Sequence, residues 1–181
     1  MIQTTCIALS VFFLALLLGF GPVHAEPQSE LAVVSGVEID RYLGTWYEIA
    51  RYPNRFQKEC VAVTAEYSLR PDGKIKVVNA CRKETLEGKF KKIEGKAWVA
   101  DKGTNAKLKV QFFWPFRGAY WIIDLAEDYE YAVVGHPKRK YLWILSRTPD
   151  MAPELYQAIV ERLTKQGYDP DRLEKTLQPA S

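Results

Sequence analysis

The sequence predicts an all-β fold: an eight-stranded antiparallel up-and-down barrel with a C-terminal α-helix packed on its outside. Three observations carry that prediction. In Lys107-Leu108-Lys109-Val110-Gln111-Phe112 every second residue is large and apolar, so Leu108, Val110 and Phe112 share one face of a strand whose other face is wet. Turn residues recur at short intervals, at Pro71-Asp72-Gly73, Lys102-Gly103, Phe116-Arg117-Gly118 and Pro137-Lys138, which favours a meander. One clear segment, residues 153–166, has helical periodicity: Leu155, Ile159 and Leu163 with Tyr156 and Val160 make a stripe at spacings of three and four, and Gly167 supplies the stop.

Taken in chain order, residues 1–25 read as a signal peptide. Ile7 to Phe20 is nearly unbroken apolar sequence, short for a membrane span of about 20 residues, and Val23-His24-Ala25 offers small residues for cleavage after Ala25. Residues 26–36 are a polar lead-in, expected to be flexible. The domain itself spans 37–178 and opens with Val37 to Leu43, whose apolar spacing suits one helical turn. Strands follow at about 45–52, 61–69, 74–82, 91–100, 106–113, 118–125, 129–135 and 141–147. Alternation in the second turns Val61, Val63, Ala65 and Tyr67 to one face and Ala62, Thr64 and Glu66 to the other. The first strand, with Tyr47, Ile49 and Tyr52, and the last, Tyr141 to Leu145, are apolar on both faces. Left half-solvated they would expose costly surface, so the helix is placed over them.

Composition narrows the function. With 181 residues, 48% of them hydrophobic and 13% aromatic, the chain suits one domain with a substantial core. The net charge is only +3, and Lys and Arg are interspersed with Asp and Glu, which argues against a nucleic-acid partner. The two histidines, His24 and His136, build neither a catalytic triad nor a multi-histidine metal site. No catalytic residue, metal or cofactor is expected.

Three motifs fall in a telling order. Gly44-Thr45-Trp46-Tyr47-Glu48 places a Gly-x-Trp at the head of the first strand, Glu127-Asp128-Tyr129 precedes the seventh, and Leu145-Ser146-Arg147-Thr148-Pro149 ends the eighth. In these motifs the sequence resembles the lipocalins, and from about Val37 to Gln178 it is similar to the bacterial outer-membrane lipocalins of the Blc type, which are close to apolipoprotein D. The resemblance implies structural roles for Gly44, Trp46, Asp128, Tyr129 and Arg147. Trp46 would sit at the closed end of the barrel with Arg147 across its ring, a contact worth about 0.5–2 kcal/mol. It also implies a lipid ligand, a fatty acid or lysophospholipid, carried or stored in maintenance of the cell envelope. A pigment or haem carrier and a non-binding structural envelope protein are the alternatives.

Alternation and the family's motifs together assign Ala50, Ala97, Leu108, Val110, Phe112, Tyr120, Ile122, Ala132, Val134, Tyr141 and Trp143 to the barrel interior. Small residues among aromatics, with Gly95, favour a void over a filled barrel. Glu48, Arg51, Tyr120 and Tyr141 are placed to bond a polar head group near the mouth, with a solvated charge as the alternative for Arg51. Phe112-Phe113-Trp114-Pro115-Phe116 carries four aromatics in five residues at a turn. They cannot all point inward, so an exposed patch for peripheral membrane contact, lipid delivery or self-association is expected, against packing within the rim. Monomer and homodimer both remain open.

Cys60 and Cys81 are the expected disulfide, since an exported chain meets an oxidising compartment. Simple hairpin register opposes it. With Pro71 opposite Lys74, Cys60 faces Thr85 and Cys81 faces Thr64, an offset of four residues or about 14 Å, against a usual Cα separation below about 7 Å. A bulge, or a chain that folds back before Val61, is required. If free and inward, either cysteine would be the sole nucleophile candidate, because one prostaglandin-isomerising lipocalin type uses a cavity cysteine.

The resemblance would suggest a lipid anchor, which needs a cysteine directly after the apolar run. Here Cys6 lies before that run, and Gly21-Pro22-Val23-His24-Ala25-Glu26 contains none. Export as a soluble periplasmic protein is therefore expected, with outer-membrane association as the alternative. Expressed with its own leader, the protein should begin at Glu26 and carry no acyl chain. Intact-mass measurement and N-terminal sequencing check this, and an acylated or uncleaved species would contradict it.

Overall fold

The computed structural model describes residues 29–180, and the proposed signal peptide lies outside them. Strands β1 Gly44–Arg51, β2 Cys60–Leu69, β3 Ile75–Lys83, β4 Phe90–Val99, β5 Lys107–Gln111, β6 Gly118–Leu125, β7 Tyr131–Gly135 and β8 Leu142–Ser146 pair antiparallel, each with the next. The sheet closes because β1 pairs with β8 on one edge and with β2 on the other. Residues Ile39–Tyr42 form the expected turn of helix, α1, and Pro153–Lys165 form α2.

The α2 helix ends as its sequence requires. Gly167 has φ +82°, its N–H bonds Thr164 O at 2.9 Å, and the Tyr168 N–H bonds Leu163 O at 3.0 Å, a Schellman pair. Ile159 and Leu163 bury against Tyr52, Leu142 and Ile144, so the helix covers the outward apolar faces of β1 and β8. Leu31 joins this outer cluster, and the Val34 N–H bonds Ile122 O at 3.1 Å. Residues 29–36 are thus docked on the barrel rather than forming the flexible lead-in that their polarity suggested.

Three bulges interrupt strict alternation. One falls in β1 between Glu48 and Ala50, one in β2 between Val61 and Thr64, and one in β6 between Ile122 and Asp124. Each extra residue inverts the faces beyond it. In β1 this turns Ala50 outward into the cluster beneath α2, correcting its assignment to the interior, and turns Arg51 inward opposite Trp143. In β2 it puts Val61 opposite Arg82, away from the face that Ala65 and Tyr67 share.

The β2 bulge also brings the cysteines together. Arg70, not Pro71, opposes Lys74, and the bulge at Ala62 (φ +46°) removes one more residue of offset. Cys60 then faces Lys83, two positions from Cys81, with Cα atoms 5.6 Å apart, and the Cys60–Cys81 disulfide forms. Neither sulfur is left as a thiolate nucleophile.

Beyond the bulge, β1 and β2 splay, and the C-terminal segment fills the gap. A short strand, β9, Glu174–Lys175, pairs with Arg51 and Ala50. The Thr176 N–H bonds Ile49 O at 2.9 Å, and the Ala62 N–H bonds Leu177 O at 2.7 Å.

At the opposite end Trp46 is fully buried, and the Arg147 guanidinium lies 3.8 Å from its ring centroid. Arg147 donates from Nη1 to Thr45 O (3.0 Å), from Nη2 to Arg41 O (2.6 Å) and from Nε to Tyr129 O (3.3 Å). Gly44, at φ +95°, gives it room, since a Cβ there would lie 3.3 Å from Nη1. Asp128 Oδ1 accepts from the Glu130 N–H at 3.0 Å and fixes the turn, and the Tyr129 hydroxyl accepts from the Glu38 N–H at 2.9 Å. One side chain thus ties α1, β1 and the β6–β7 turn to the end of β8.

Trp46→Ala should destabilise the fold by about 3–5 kcal/mol, the cost of emptying a fully buried aromatic site. Arg147→Ala should cost less, about 1–3 kcal/mol, because water reaches part of what it leaves behind. Denaturant unfolding measures both, and unchanged midpoints would show that the clasp does not hold this end shut.

Candidate ligand cavity

Strand pairing sets which side chains face inward. Ala97, Leu108, Ile122, Ala132 and Val134 are fully buried in the inner cluster, and Val110, Phe112, Tyr120 and Trp143 pack against it partly buried. Tyr141 stacks on Trp143 at 5.8 Å and meets Phe56 of the β1–β2 loop at 5.7 Å, which places it at the mouth. Ten of the eleven expected residues therefore lie in the interior or at its opening, and Ala50 does not.

Burial is graded along the wall. Near the closed end Trp46 and Tyr42 are sealed, while Ile93, which pairs with the inward Asn79 on β3, is 36% exposed. Solvent reaches this inner face through the open end, where the β1–β2, β3–β4, β5–β6 and β7–β8 connections gather. Two shallow clefts lie outside the barrel, about 630 Å³ beside Thr176 to Ala180 and about 540 Å³ between Lys109 and Arg117.

Two polar groups of the interior stand out. The hydroxyls of Tyr42 and Tyr120 meet at 2.7 Å and those of Tyr67 and Tyr120 at 2.9 Å, a brace joining α1, β2 and β6. Burial pushes all three phenols up, Tyr67 to about 12. The second group surrounds Glu48. Its carboxylate accepts from Arg51 Nη1 (2.8 Å), Gln57 Nε2 and Thr176 Oγ1, and Trp143 Nε1 donates to Gln57 Oε1 at 2.8 Å. Arg51 is only 8% exposed, so it is no solvated charge, and its buried Nε has no partner among the described residues. A buried carboxylate with three donors is compensated, whereas the open Arg51 donor still has an acceptor to find.

Sequence reasoning named Glu48 and Arg51 but missed Gln57 and Thr176. Thr176 lies 128 positions from Glu48, so no local pattern joins them. Among the described residues no cluster of three or more His, Cys, Asp or Glu could hold a metal ion.

A family model described as a lipocalin-like domain matches residues 37–178. The chain belongs to the lipocalin family. It is 46% identical over 161 residues to temperature-induced lipocalin-1 of Arabidopsis thaliana, covering 83% of this chain and 84% of the relative. It is 43% identical over 155 residues to the outer membrane lipoprotein Blc of Escherichia coli K12, covering 86% and 87%. The insecticyanin structure from the tobacco hornworm Manduca sexta superposes with a TM-score of 0.65 at 20% identity over 86% of each chain, a likeness of fold. The resemblance read from the three motifs holds at the level of the family. A plant lipocalin matches as well as the bacterial ones, so a bacterial setting is not part of this result.

The tyrosine brace makes the stability of this lipocalin pH-dependent. Each phenol's folded pKa lies above its unfolded value near 10, so the contribution is whole below about pH 10 and is lost as pH rises towards the folded values. Tyr120→Phe would leave the Tyr42 and Tyr67 hydroxyls without that partner, a loss of about 1–3 kcal/mol at neutral pH, and should flatten the alkaline decline. Denaturant midpoints of both proteins at about pH 8 and about pH 11 check this; parallel curves would contradict it.

Proposed function

We propose that this lipocalin holds one single-chain lipid, a fatty acid or lysophospholipid, with its tail in the barrel and its polar end at the mouth, for storage or transport in the envelope of the cell. The observation that carries the reading is the graded inner wall, apolar and sealed below, solvent-reached at Ile93 above. An eight-stranded barrel has room for side chains or for one small ligand. A tail of roughly 16 carbons gains on the order of 12 kcal/mol from burial, enough to leave micromolar binding after association costs.

The Glu48–Arg51–Gln57 group supplies what a tail lacks. Arg51 Nε is a buried donor with no partner among the described residues, on the wall beside Trp143, and a carboxylate or phosphate oxygen of the head would satisfy it. Likeness to an outer membrane lipoprotein supports an envelope setting, and the missing lipobox cysteine favours a soluble exported form. The exposed charged outer wall fits a water-soluble barrel: Lys76 pairs with Glu94 at 3.1 Å on a face that a membrane-spanning barrel would make apolar.

Ala97→Trp and Val110→Trp should each lower affinity for a fluorescent fatty acid at least tenfold while costing only about 1–3 kcal/mol of stability. Native mass spectrometry of the purified protein should show a lipid-sized increment that both variants lose. Unchanged binding in both would place the ligand elsewhere.

A further inference from the structure

We propose that the open end of the barrel is a docking face for an anionic lipid surface, so that the mouth opens directly onto the bilayer. The aromatics are the first observation. Phe113, Trp114 and Phe116 in the β5–β6 loop are 67%, 85% and 76% exposed, and Phe56 and Phe90 stand exposed at the same end. Only Phe112 of the run packs on the core. Large aromatic rings held in water at one rim are costly unless something covers them, and indole and phenyl rings partition well into the headgroup zone of a bilayer.

Charge names the partner. Around the same rim stand Arg55, Lys89, Lys91, Lys92, Arg117 and Lys140, all exposed. Among the acids there, Glu59 is already held by Lys83 at 3.2 Å, and Glu84 and Glu87, both exposed, are outnumbered by the six cations. At the opposite end the balance reverses: Glu38, Asp40, Asp72, Glu127, Asp128 and Glu130 are exposed against Arg41 and Lys102. The molecule thus carries a dipole whose positive pole coincides with its apolar ring. A second copy docking rim to rim would bring like charges face to face, whereas an anionic bilayer satisfies rings and cations together. This docking does not depend on what the cavity holds.

Co-sedimentation with phosphatidylcholine vesicles, with and without phosphatidylglycerol, tests the inference. The protein should sediment with the anionic vesicles and be released as salt shortens the screening length. Trp114→Ala/Phe116→Ala should lower partitioning at least tenfold while leaving fatty-acid binding intact, since neither side chain faces the cavity. Lys89→Glu/Lys92→Glu should lower it by about fivefold or more for each charge. The Ala97→Trp protein, its cavity filled, should still sediment, which separates this inference from the ligand reading. Three results would overturn it: equal sedimentation with neutral vesicles, rim variants that sediment like the parent, or a dimer that Trp114→Ala/Phe116→Ala dissolves with no vesicle binding by the parent.

Discussion

A sheet that closes on itself must satisfy both edges of its first strand, and much in this molecule follows from how β1 does so. Its edge towards β8 pairs along its later half, but β2 accompanies only its first four residues. Beyond that the backbone groups of Ile49 and Ala62 would face an open seam. The C-terminal segment occupies it, and the chain's end becomes part of the barrel wall. Because Thr176 arrives with that segment, the same seam supplies one of the three donors to Glu48. Closure and the polar part of the interior share one cause.

The bulges decide what faces inward. Without the one at Ile49, Arg51 would point outward beneath α2, away from Glu48, and Ala50 would face the cavity. Without the one at Ala62, Cys60 and Cys81 would not come within reach. The strand order, the helix on β1 and β8 and the Trp46–Arg147 contact were legible because they rest on local periods and on motifs in fixed order. Bulges were not. No glycine marks any of the three, and a one-residue insertion leaves the composition of a strand unchanged while inverting its later faces.

The interior was legible by the same logic and to the same depth. Period-two alternation in β5 placed Leu108, Val110 and Phe112, and no bulge disturbs them. Ala50 failed because its strand carries one. Gln57 and Thr176 left no local signal, since a loop glutamine and a near-terminal threonine acquire meaning only through partners far along the chain. The buried position of Leu31 is of the same kind. A stretch with this many polar residues reads as loose until the groove that receives Leu31 is known.

For the proposed single-chain lipid, the hydroxyl brace of Tyr42, Tyr67 and Tyr120 would set a selectivity by length. Its three rings cross the interior just above Trp46, and their hydrogen bonds are already made to one another. A methyl terminus that reached them would gain nothing by going deeper, and separating them would strand hydroxyls without partners. The brace is a fixed stop, and the distance from it to the rim is a ruler. Chains shorter than that distance would draw their head groups down towards Arg51, while longer ones would hold them out at the level of the exposed rings, so one barrel would present different guests to the outside in different ways.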